Sequence, residues 1–276
     1  MSQANLSAVI KALILDMDGV LWRDEQPIGD LPAIFAAIAT RNLLVTLATN
    51  NATLSTRQYL DKLSRLGVRL RPEQIVNSSQ AAAHYLSRRF PSGGAVYVVG
   101  EDGLVDTLAE QGFIAEKSTK IPLDDGQHKI LAVVVGLDRN LDYHKITIAA
   151  RLVRAGALFI GTNPDRTFPT PDGLVPGAGA ILAAIESAAD VPPIIVGKPS
   201  PEMYIVALQR MNIEPSAVLV VGDRLETDII GGQQLGCRTA LVLSGVTSSE
   251  AAHKWQPAPD LIASDLTALL SMIPDR

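Results

Sequence analysis

The chain has 276 residues and a formal net charge of −5, and 47% of its residues are hydrophobic while 19% are charged. This composition excludes a disordered chain, and the scattered lysines and arginines form no basic stripe of the kind that binds nucleic acid. The length is sufficient for two moderate domains, which is our interpretation of the chain.

The first apolar run, at residues 8–15, leads directly into Asp16. It is interrupted by Lys11 and is far too short to span a bilayer, so it predicts neither a membrane anchor nor a signal peptide. The single cysteine, Cys237, excludes an intrachain disulfide and is typical of a reducing compartment. We therefore expect a cytoplasmic protein with no membrane partner, and the sequence leaves a homodimer open.

Apolar runs bounded by turn residues alternate with amphipathic stretches along the chain, which predicts the strands and crossover helices of a parallel α/β protein. An outer set contains predicted strands at 12–15, 43–48, 194–196, 218–221 and 239–243, with predicted helices at 55–66 and 202–211. A middle set contains predicted strands at 95–99, 132–136 and 158–160, with predicted helices at 104–111 and 143–155. The sequence therefore predicts a parallel-sheet core and a second α/β unit.

The first strand of the outer set ends at a pair of carboxylates, Asp16 and Asp18, followed by Gly19. Ligands of open parallel sheets bind at the carboxyl ends of the strands, and residues two apart in an extended segment project to the same side. Two neighbouring carboxylates repel each other unless they bind a cation or share a proton, which implies a metal ion. The alternative is a plain turn, because Asp-Gly is a common turn signal.

Three other predicted strands also end at polar residues that suit phosphate chemistry. Thr49, Asn50 and Asn51 follow the second strand, Lys198 follows the strand at 194–196, and Asp223 and Asp228 follow the strand at 218–221. Each has an ordinary structural explanation: a capping turn, a solvated lysine or an acid in the first turn of a helix. Together, the four strand ends predict carboxylates for a hard cation, polar donors for phosphate oxygens and one ammonium group.

The order of these motifs resembles the haloacid dehalogenase (HAD) superfamily. The strings at 48–51, 197–201 and 222–228 are similar to its subfamily IIA, the NagD-like and 4-nitrophenyl phosphatases, which include phosphoglycolate and pyridoxal phosphate phosphatases. The resemblance extends over essentially the whole chain. It implies an α/β fold with a Rossmann-like parallel-sheet core at 1–80 and 181–276, and a large inserted α/β cap domain at 81–180.

The resemblance also implies a magnesium-dependent phosphomonoester hydrolase that acts on small phosphorylated metabolites. Asp16 would be the catalytic nucleophile that forms an aspartyl-phosphate, and Asp18 would be the general acid and then the general base. Lys198 would steady the phosphoryl group and the nucleophile. The motif pattern shows no departure from the family, so the resemblance implies an active enzyme.

The remaining implied roles concern the phosphate and the metal. The phosphate of the substrate would be bound by Thr49, Asn50 and Asn51. The Mg²⁺ ion would be held by Asp16, the main-chain carbonyl of Asp18, Asp223 and, directly or from just behind the metal shell, Asp228.

Residues 163–168 follow a predicted strand of the middle unit and are our candidate substrate loop, with Asn163 and Asp165 as substrate-binding residues. A structural turn explains this segment equally well. The segment 171–176 is interpreted as a turn, and Gly177-x-Gly179 as a hinge or a helix start, because the third glycine of a dinucleotide fingerprint is missing. The cap as a whole is expected to exclude water and to carry substrate specificity.

Three other functions use similar groups. A receiver-like signalling protein needs neither an acid–base group at Asp18 nor a second α/β unit. Asp18 and the metal-ready Asp223 also disfavour a dehalogenase. A phosphomutase, which can share the same core residues, stays open.

Overall fold

The structure is a computed structural model that describes residues 10–51, 54–117, 129–170 and 173–273, with the side chains of residues 168–170 outside the description. The first two residues of the apolar run at 8–15 therefore lie outside the described residues. Among the described residues, no helix has both the length and the apolar character that crossing a membrane requires.

Strands and helices alternate along the chain. The strands are β1 (Ala12–Leu15), β2 (Trp22–Arg23), β3 (Gln26–Pro27), β4 (Leu44–Thr49), β5 (Ile75–Asn77), β6 (Gly94–Val99), β7 (Phe113–Glu116), β8 (Ala132–Val135), β9 (Leu158–Gly161), β10 (Thr167–Thr170), β11 (Gly173–Pro176), β12 (Ile194–Ile195), β13 (Val218–Gly222), β14 (Arg238–Val242) and β15 (Leu261–Ala263). The helices are α1 (Leu31–Thr40), α2 (Thr56–Arg65), α3 (Ser78–Arg89), α4 (Asp102–Glu110), α5 (Tyr143–Arg154), α6 (Ala178–Ala189), α7 (Glu202–Met211), α8 (Ile230–Gln234), α9 (Ser249–Lys254) and α10 (Leu266–Met272).

The larger sheet has six strands in the order β15-β14-β13-β1-β4-β5, and β1 is parallel to both of its neighbours. Every residue of β1 and β13 is buried, which explains their continuous apolar sequences. In the register, Leu15 lies beside Val221 of β13 and Leu47 of β4. The residues that follow these three positions therefore meet at the carboxyl edge of the sheet.

The second sheet has five strands in the order β12-β9-β8-β6-β7, and its described pairs are parallel. The helices α5 and α6 bury an apolar cluster against it, with Ile148, Leu152, Leu182 and Ile185 among the buried side chains. The predicted fold class, a parallel-sheet core with a second inserted α/β unit, is confirmed.

Contacts divide the chain into two compact units. The first unit contains the described residues up to Thr49, the segment Thr56–Val76 and the residues from Lys198 onward; it carries the six-stranded sheet. The second unit contains Asn50–Ser55 and Asn77–Gly197. The assignment of residues 81–180 to a cap domain stays a prediction.

Two expectations about single elements are wrong. The strand predicted at 194–196 does not join the outer set, because Ile194 and Ile195 pair with Ile160 and Gly161 of β9 in the second sheet. An apolar run carries no information about which sheet it joins. The segment 171–176 was interpreted as a turn, but residues 173–176 form β11, which pairs antiparallel with β10 and is exposed throughout, so it lacks a buried face. Residues 171 and 172 lie outside the described residues.

The interpretation of Gly177 as a helix start is confirmed. Gly177 is the N-cap residue of α6. A Cβ atom on this glycine would lie 2.4 Å from the carbonyl oxygen of Asp165, so the close approach of two backbone segments requires glycine here.

Candidate active site

Three neighbouring strands of the six-stranded sheet deliver polar side chains to its carboxyl edge. Asp16 directly follows β1, Thr49 is the last residue of β4, and Asp223 directly follows β13. All three side chains are buried. Because β1 lies between β13 and β4, Asp16 stands between the acidic and the hydroxyl-bearing neighbour.

Lys198 joins this edge from outside the sheet. Its Nζ atom donates hydrogen bonds to Asp16 Oδ1 at 2.5 Å, to Asp228 Oδ1 at 2.7 Å and to the carbonyl oxygen of Ala48 at 3.1 Å. The side chain is 4% exposed. The ammonium group thus uses its three protons on protein acceptors, which rules out a solvated surface lysine.

Asp228 is positioned by a π-helical turn, Leu225–Ile229. Its Oδ2 atom accepts a hydrogen bond from the backbone N–H of Arg224 at 3.1 Å, and its carbonyl oxygen accepts one from the hydroxyl of Tyr204 at 3.2 Å. The turn folds Asp228 back over Gly222, where a Cβ atom would lie 2.1 Å from the Cβ of Asp228. Both oxygens of this carboxylate therefore accept hydrogen bonds from protein donors.

Asp223 is held by a loop that lies outside the four strand-end motifs. Its Oδ2 atom accepts a hydrogen bond from the backbone N–H of Val246 at 2.8 Å. Gly19, with φ of +81°, and Gly245 lie so close that a Cβ atom on either would overlap the Asp223 carboxylate. The signal was present in the sequence, because Gly245 follows the strand predicted at 239–243.

The cluster has more negative than positive charge. Asp16, Asp223 and Asp228 each place a carboxylate oxygen within 4.8 Å of the others, and Lys198 supplies one ammonium group. Among these four groups, the three carboxylates outnumber the single ammonium group. The charge and the hard oxygen donors both fit a divalent cation.

Burial and mutual repulsion disturb the titration of these groups. Burial raises the pKa of Asp16 well above its usual range; Lys198 opposes this rise, while Asp228 and Asp223 add to it. Burial, with repulsion from Asp228, raises the pKa of Asp223 to about 6. For Lys198, burial alone would lower the pKa, but the attraction of Asp16 and Asp228 holds it well above the usual value.

Asp18 has a different environment. It is exposed, its carboxylate is not one of the three that converge, and its Oδ1 atom accepts a hydrogen bond from Trp22 Nε1 at 2.9 Å. The protein packed around the carboxylate removes part of its hydration and raises its pKa, while the Trp22 hydrogen bond and the charge of Lys62 oppose the rise. The side chain therefore stays accessible to a substrate.

Thr49 contacts Tyr59, a second residue outside the strand-end motifs. Tyr59, on α2, is buried and shares a side-chain hydrogen bond with Thr49; burial raises the pKa of the phenol. The phenol stays protonated at neutral pH and is a permanent hydrogen-bond partner of the threonine.

The second unit contains the other proposed substrate residues. Asn50 presents its carbonyl oxygen to Ser78 Oγ at 2.8 Å and to Asn163 Nδ2 at 3.0 Å, and Asn163 Oδ1 accepts a hydrogen bond from the backbone N–H of Asp165 at 3.1 Å. Asn163 is buried, whereas Asn51 and Asp165 are half-buried. Both ends of the Asn163 amide are thus engaged within the protein, and the substrate roles of Asn163 and Asp165 stay predictions.

Two family profiles match the chain: haloacid dehalogenase-like hydrolase over residues 13–114 and HAD-hydrolase-like over residues 195–269. Phosphoglycolate phosphatase 2 from Arabidopsis thaliana is 39% identical over 254 residues, covering 87% of this chain and 84% of that protein. The structure of NagD from E. coli K-12 is 32% identical with a TM-score of 0.83, over 94% of this chain and 97% of that one. A glycerol phosphate phosphatase from Mycobacterium tuberculosis, solved in complex with magnesium, is 33% identical with a TM-score of 0.86, over 96% and 77% of the two chains.

These similarities agree with the geometry. The first profile match includes Asp16 and Thr49, and the second includes Lys198, Asp223 and Asp228. The resemblance drawn from the motifs is confirmed. The chain therefore belongs to the haloacid dehalogenase-like hydrolase family and is a phosphatase of its NagD-like group.

Proposed function

We propose that the protein is a magnesium-dependent phosphomonoester hydrolase that acts on small phosphorylated metabolites through an aspartyl-phosphate on Asp16. The observation that carries the proposal is the contact of Lys198 with both Asp16 and Asp228. The carboxylate of Asp223 lies beside those two carboxylates. Two of the relatives are named for phosphoglycolate and glycerol phosphate, which are small phosphate monoesters.

Asp16 is suited to attack a phosphorus atom. Lys198 fixes one of its oxygens, so the other oxygen has a defined direction. Attack forms the O–P bond of the aspartyl-phosphate and breaks the bond to the leaving group, which takes a proton from Asp18. Water then attacks the same phosphorus, gives its proton to Asp18 and releases inorganic phosphate, which returns Asp16 to the carboxylate form.

We assign the metal to Asp16, Asp223 and the main-chain carbonyl of Asp18. When bound, Mg²⁺ supplies neutralisation of the charge on the phosphoryl oxygens. Both oxygens of Asp228 already accept hydrogen bonds, from Lys198 and from the Arg224 backbone, so we assign Asp228 to a position just behind the metal shell. There it fixes the ammonium group that faces the nucleophile.

The phosphate of the substrate is assigned to Thr49, Asn50, Asn51 and Lys198. Thr49 and Lys198 are buried beside Asp16, which supports this assignment. We assign the choice of leaving group to the second unit, with Asp165 as its candidate residue. Cytoplasmic residence and a homodimer stay predictions from the sequence.

The test is hydrolysis of a panel of phosphorylated metabolites by metal-stripped protein, with and without added Mg²⁺. We expect no release of inorganic phosphate until Mg²⁺ is added. Asp223→Asn should raise the Mg²⁺ concentration needed for half-maximal activity, whereas Asp102→Asn, which removes a carboxylate that is 91% exposed, should not. Full activity of the stripped protein would contradict the metal assignment, and transfer of phosphate to a second hydroxyl without release would favour a mutase.

A further inference from the structure

Asp18 is held by a side chain that the proposed mechanism does not use. Trp22 Nε1 donates a hydrogen bond to Asp18 Oδ1 at 2.9 Å, and the tryptophan is 1% exposed. Backbone hydrogen bonds also keep Asp18 and Trp22 close together. The N–H of Gly19 donates to the carbonyl oxygen of Trp22 at 2.7 Å, and the N–H of Leu21 donates to the carbonyl oxygen of Met17 at 2.8 Å. Trp22 therefore ends a tight turn that begins beside Asp18.

The indole ring is fixed from behind by Lys62. The Nζ atom of Lys62 lies 4.5 Å from the centroid of the Trp22 ring, and donates hydrogen bonds to the carbonyl oxygen of Asp24 at 2.7 Å and to Glu25 Oε1 at 3.2 Å. The lysine side chain is 11% exposed. A cation over the ring face and a buried setting both oppose rotation of the indole, so its N–H keeps one direction.

We propose that Trp22 is a positioning residue that fixes the rotamer of Asp18 and favours the transferable proton on Oδ2. An indole nitrogen only donates, so Oδ1 accepts its bond whether Asp18 is protonated or not. A carbonyl-type oxygen accepts more strongly than a carboxylic hydroxyl oxygen, so the proton resides on Oδ2. It passes from Oδ2 to the bridging oxygen as the phosphorus–oxygen bond breaks, and Oδ2 later takes the proton of the attacking water. This inference rests on the proposed role of Asp18.

A purely structural explanation is that a buried indole needs an acceptor. The same chain argues against that explanation. The Nε1 atom of Trp255, the other tryptophan, is also buried and has no hydrogen-bond partner among the described residues. The fold thus tolerates an indole without an acceptor, and Trp255 provides a matched control.

The test compares an alkyl phosphate, glycerol phosphate, with 4-nitrophenyl phosphate, whose leaving group needs little protonation. Trp22→Phe keeps a ring face for Lys62 and removes only the N–H and part of the ring. For glycerol phosphate we expect kcat/KM to fall about 10- to 100-fold through kcat, with KM unchanged, and for 4-nitrophenyl phosphate less than about threefold. Trp255→Phe should change the two substrates equally. Equal losses of kcat/KM, which reports the step that releases the leaving group, on both substrates in Trp22→Phe would overturn the proposal.

Asp18→Asn separates this inference from the function on which it rests. In the Asp18→Asn protein, adding Trp22→Phe should cause no further selective loss, because that protein has no proton donor at residue 18 for Trp22 to position. Fully additive losses would overturn the role of Trp22 alone, whereas Asp18→Asn without leaving-group selectivity would overturn both proposals. If Trp22→Phe does not fold, benzothienylalanine, which replaces the indole N–H with sulfur, is incorporated at position 22. The Trp255→Phe background leaves position 22 as the one site of incorporation. This protein should show the same selective loss of kcat/KM with glycerol phosphate.

Discussion

Asp16 and Asp18 stand two residues apart, yet their surroundings give them different chemistry. Asp16 is buried against Lys198 and faces two further carboxylates, whereas Asp18 is exposed and bound to Trp22. A buried carboxylate fixed by an ammonium is a suitable nucleophile, and an accessible one with a raised pKa is a suitable proton carrier. Sequence proximity therefore does not make them interchangeable.

Replacing each of the two carboxylates should give a distinct result. Asp16→Asn lacks the attacking oxygen, so turnover should fall by roughly 10⁴-fold or more and no label from phosphorylated substrate should be trapped on the protein. Asp18→Asn should keep the nucleophile but lose the base, so labelled phosphate should accumulate on Asp16 with 4-nitrophenyl phosphate. Mass spectrometry of quenched protein locates the label. Label on Asp18, or wild-type turnover by Asp16→Asn, would show that the nucleophile is wrongly assigned.

The raised pKa of Asp223 predicts how the stability of metal-free protein depends on pH. The folded protein holds the proton of Asp223 up to about 6, against an ordinary value of 3.8. The stability contributed by this group is therefore fully present below the ordinary pKa and is lost as the pH rises through about 6. With chelator present, the Tm of Asp223→Asn relative to wild type should rise between about pH 4 and about pH 7.

Added Mg²⁺ should reverse this difference, because a cation stabilises the ionised carboxylates of the wild type and binds the variant less well. Asp102→Asn, on the exposed surface, is the control and should show neither effect. A pH-independent Tm difference between Asp223→Asn and wild type would contradict the assignment of Asp223 to a buried, charge-crowded site.

Among the elements, the π-helical turn Leu225–Ile229 matters most for the site. It brings Asp228 back over Gly222, so that the end of β13 and the turn share one small space. In Gly222→Ala, the new Cβ would lie 2.1 Å from the Cβ of Asp228 and 2.4 Å from its Oδ2, so Asp228 must shift from the position in which it contacts Lys198. We expect a stability loss of about 1–3 kcal/mol and a loss of kcat larger than that destabilisation explains.

Gly236→Ala is the matched control for this prediction. Gly236 has φ of +75° and open space around its Cβ position, so alanine there causes backbone strain of about 1–2 kcal/mol without touching the site. The two variants should therefore differ in kcat measured well below their Tm. Equal kcat values would contradict the role of the turn in placing Asp228.

The sequence predicted elements with a clear buried face well, whether a strand buried throughout or an amphipathic helix. The strand at 12–15 matches β1 to the residue, and the helix at 202–211 matches α7. The short strand β12 was assigned to the wrong sheet, because an apolar run does not show which strand it pairs with. Strand β11 was interpreted as part of a turn, because an exposed strand has no periodic apolar pattern. Elements without a buried face need tertiary information.

At the scale of the whole molecule, the residues that sequence could find are those at strand ends. Residues that support them come from turns and helices distant in sequence: Tyr59 contacts Thr49, Val246 holds Asp223, and Tyr204 holds Asp228. These three are common core and loop residues, and only the folded chain shows which polar atom each one contacts. The positions of the clustered strand-end residues were thus predictable from motifs, whereas the residues that hold them in place were not.

The second unit offers a test of how chemistry and substrate choice are divided. Asp165→Ala should change the ranking of phosphorylated metabolites more than the rate with 4-nitrophenyl phosphate, if Asp165 selects the leaving group. Asn163→Ala removes a hydrogen bond to the Asn50 carbonyl, so it should lower the rate with every substrate by a similar factor. Steady-state kinetics on the same panel separates the two patterns. Unchanged substrate ratios in Asp165→Ala would remove this residue from substrate selection.

The places where the chain crosses between its units have an evolutionary consequence. It first leaves the first unit after Thr49 and returns to it for the last time at Lys198, with the segment Thr56–Val76 of the first unit in between, so two residues assigned to the phosphate are themselves junction residues. Recombination that exchanged the second unit between relatives would place two junctions beside residues assigned to the phosphate. A misplaced junction would therefore inactivate the recombinant protein. An engineered chimera that exchanges the second unit should therefore keep Thr49 and Lys198 from the same parent.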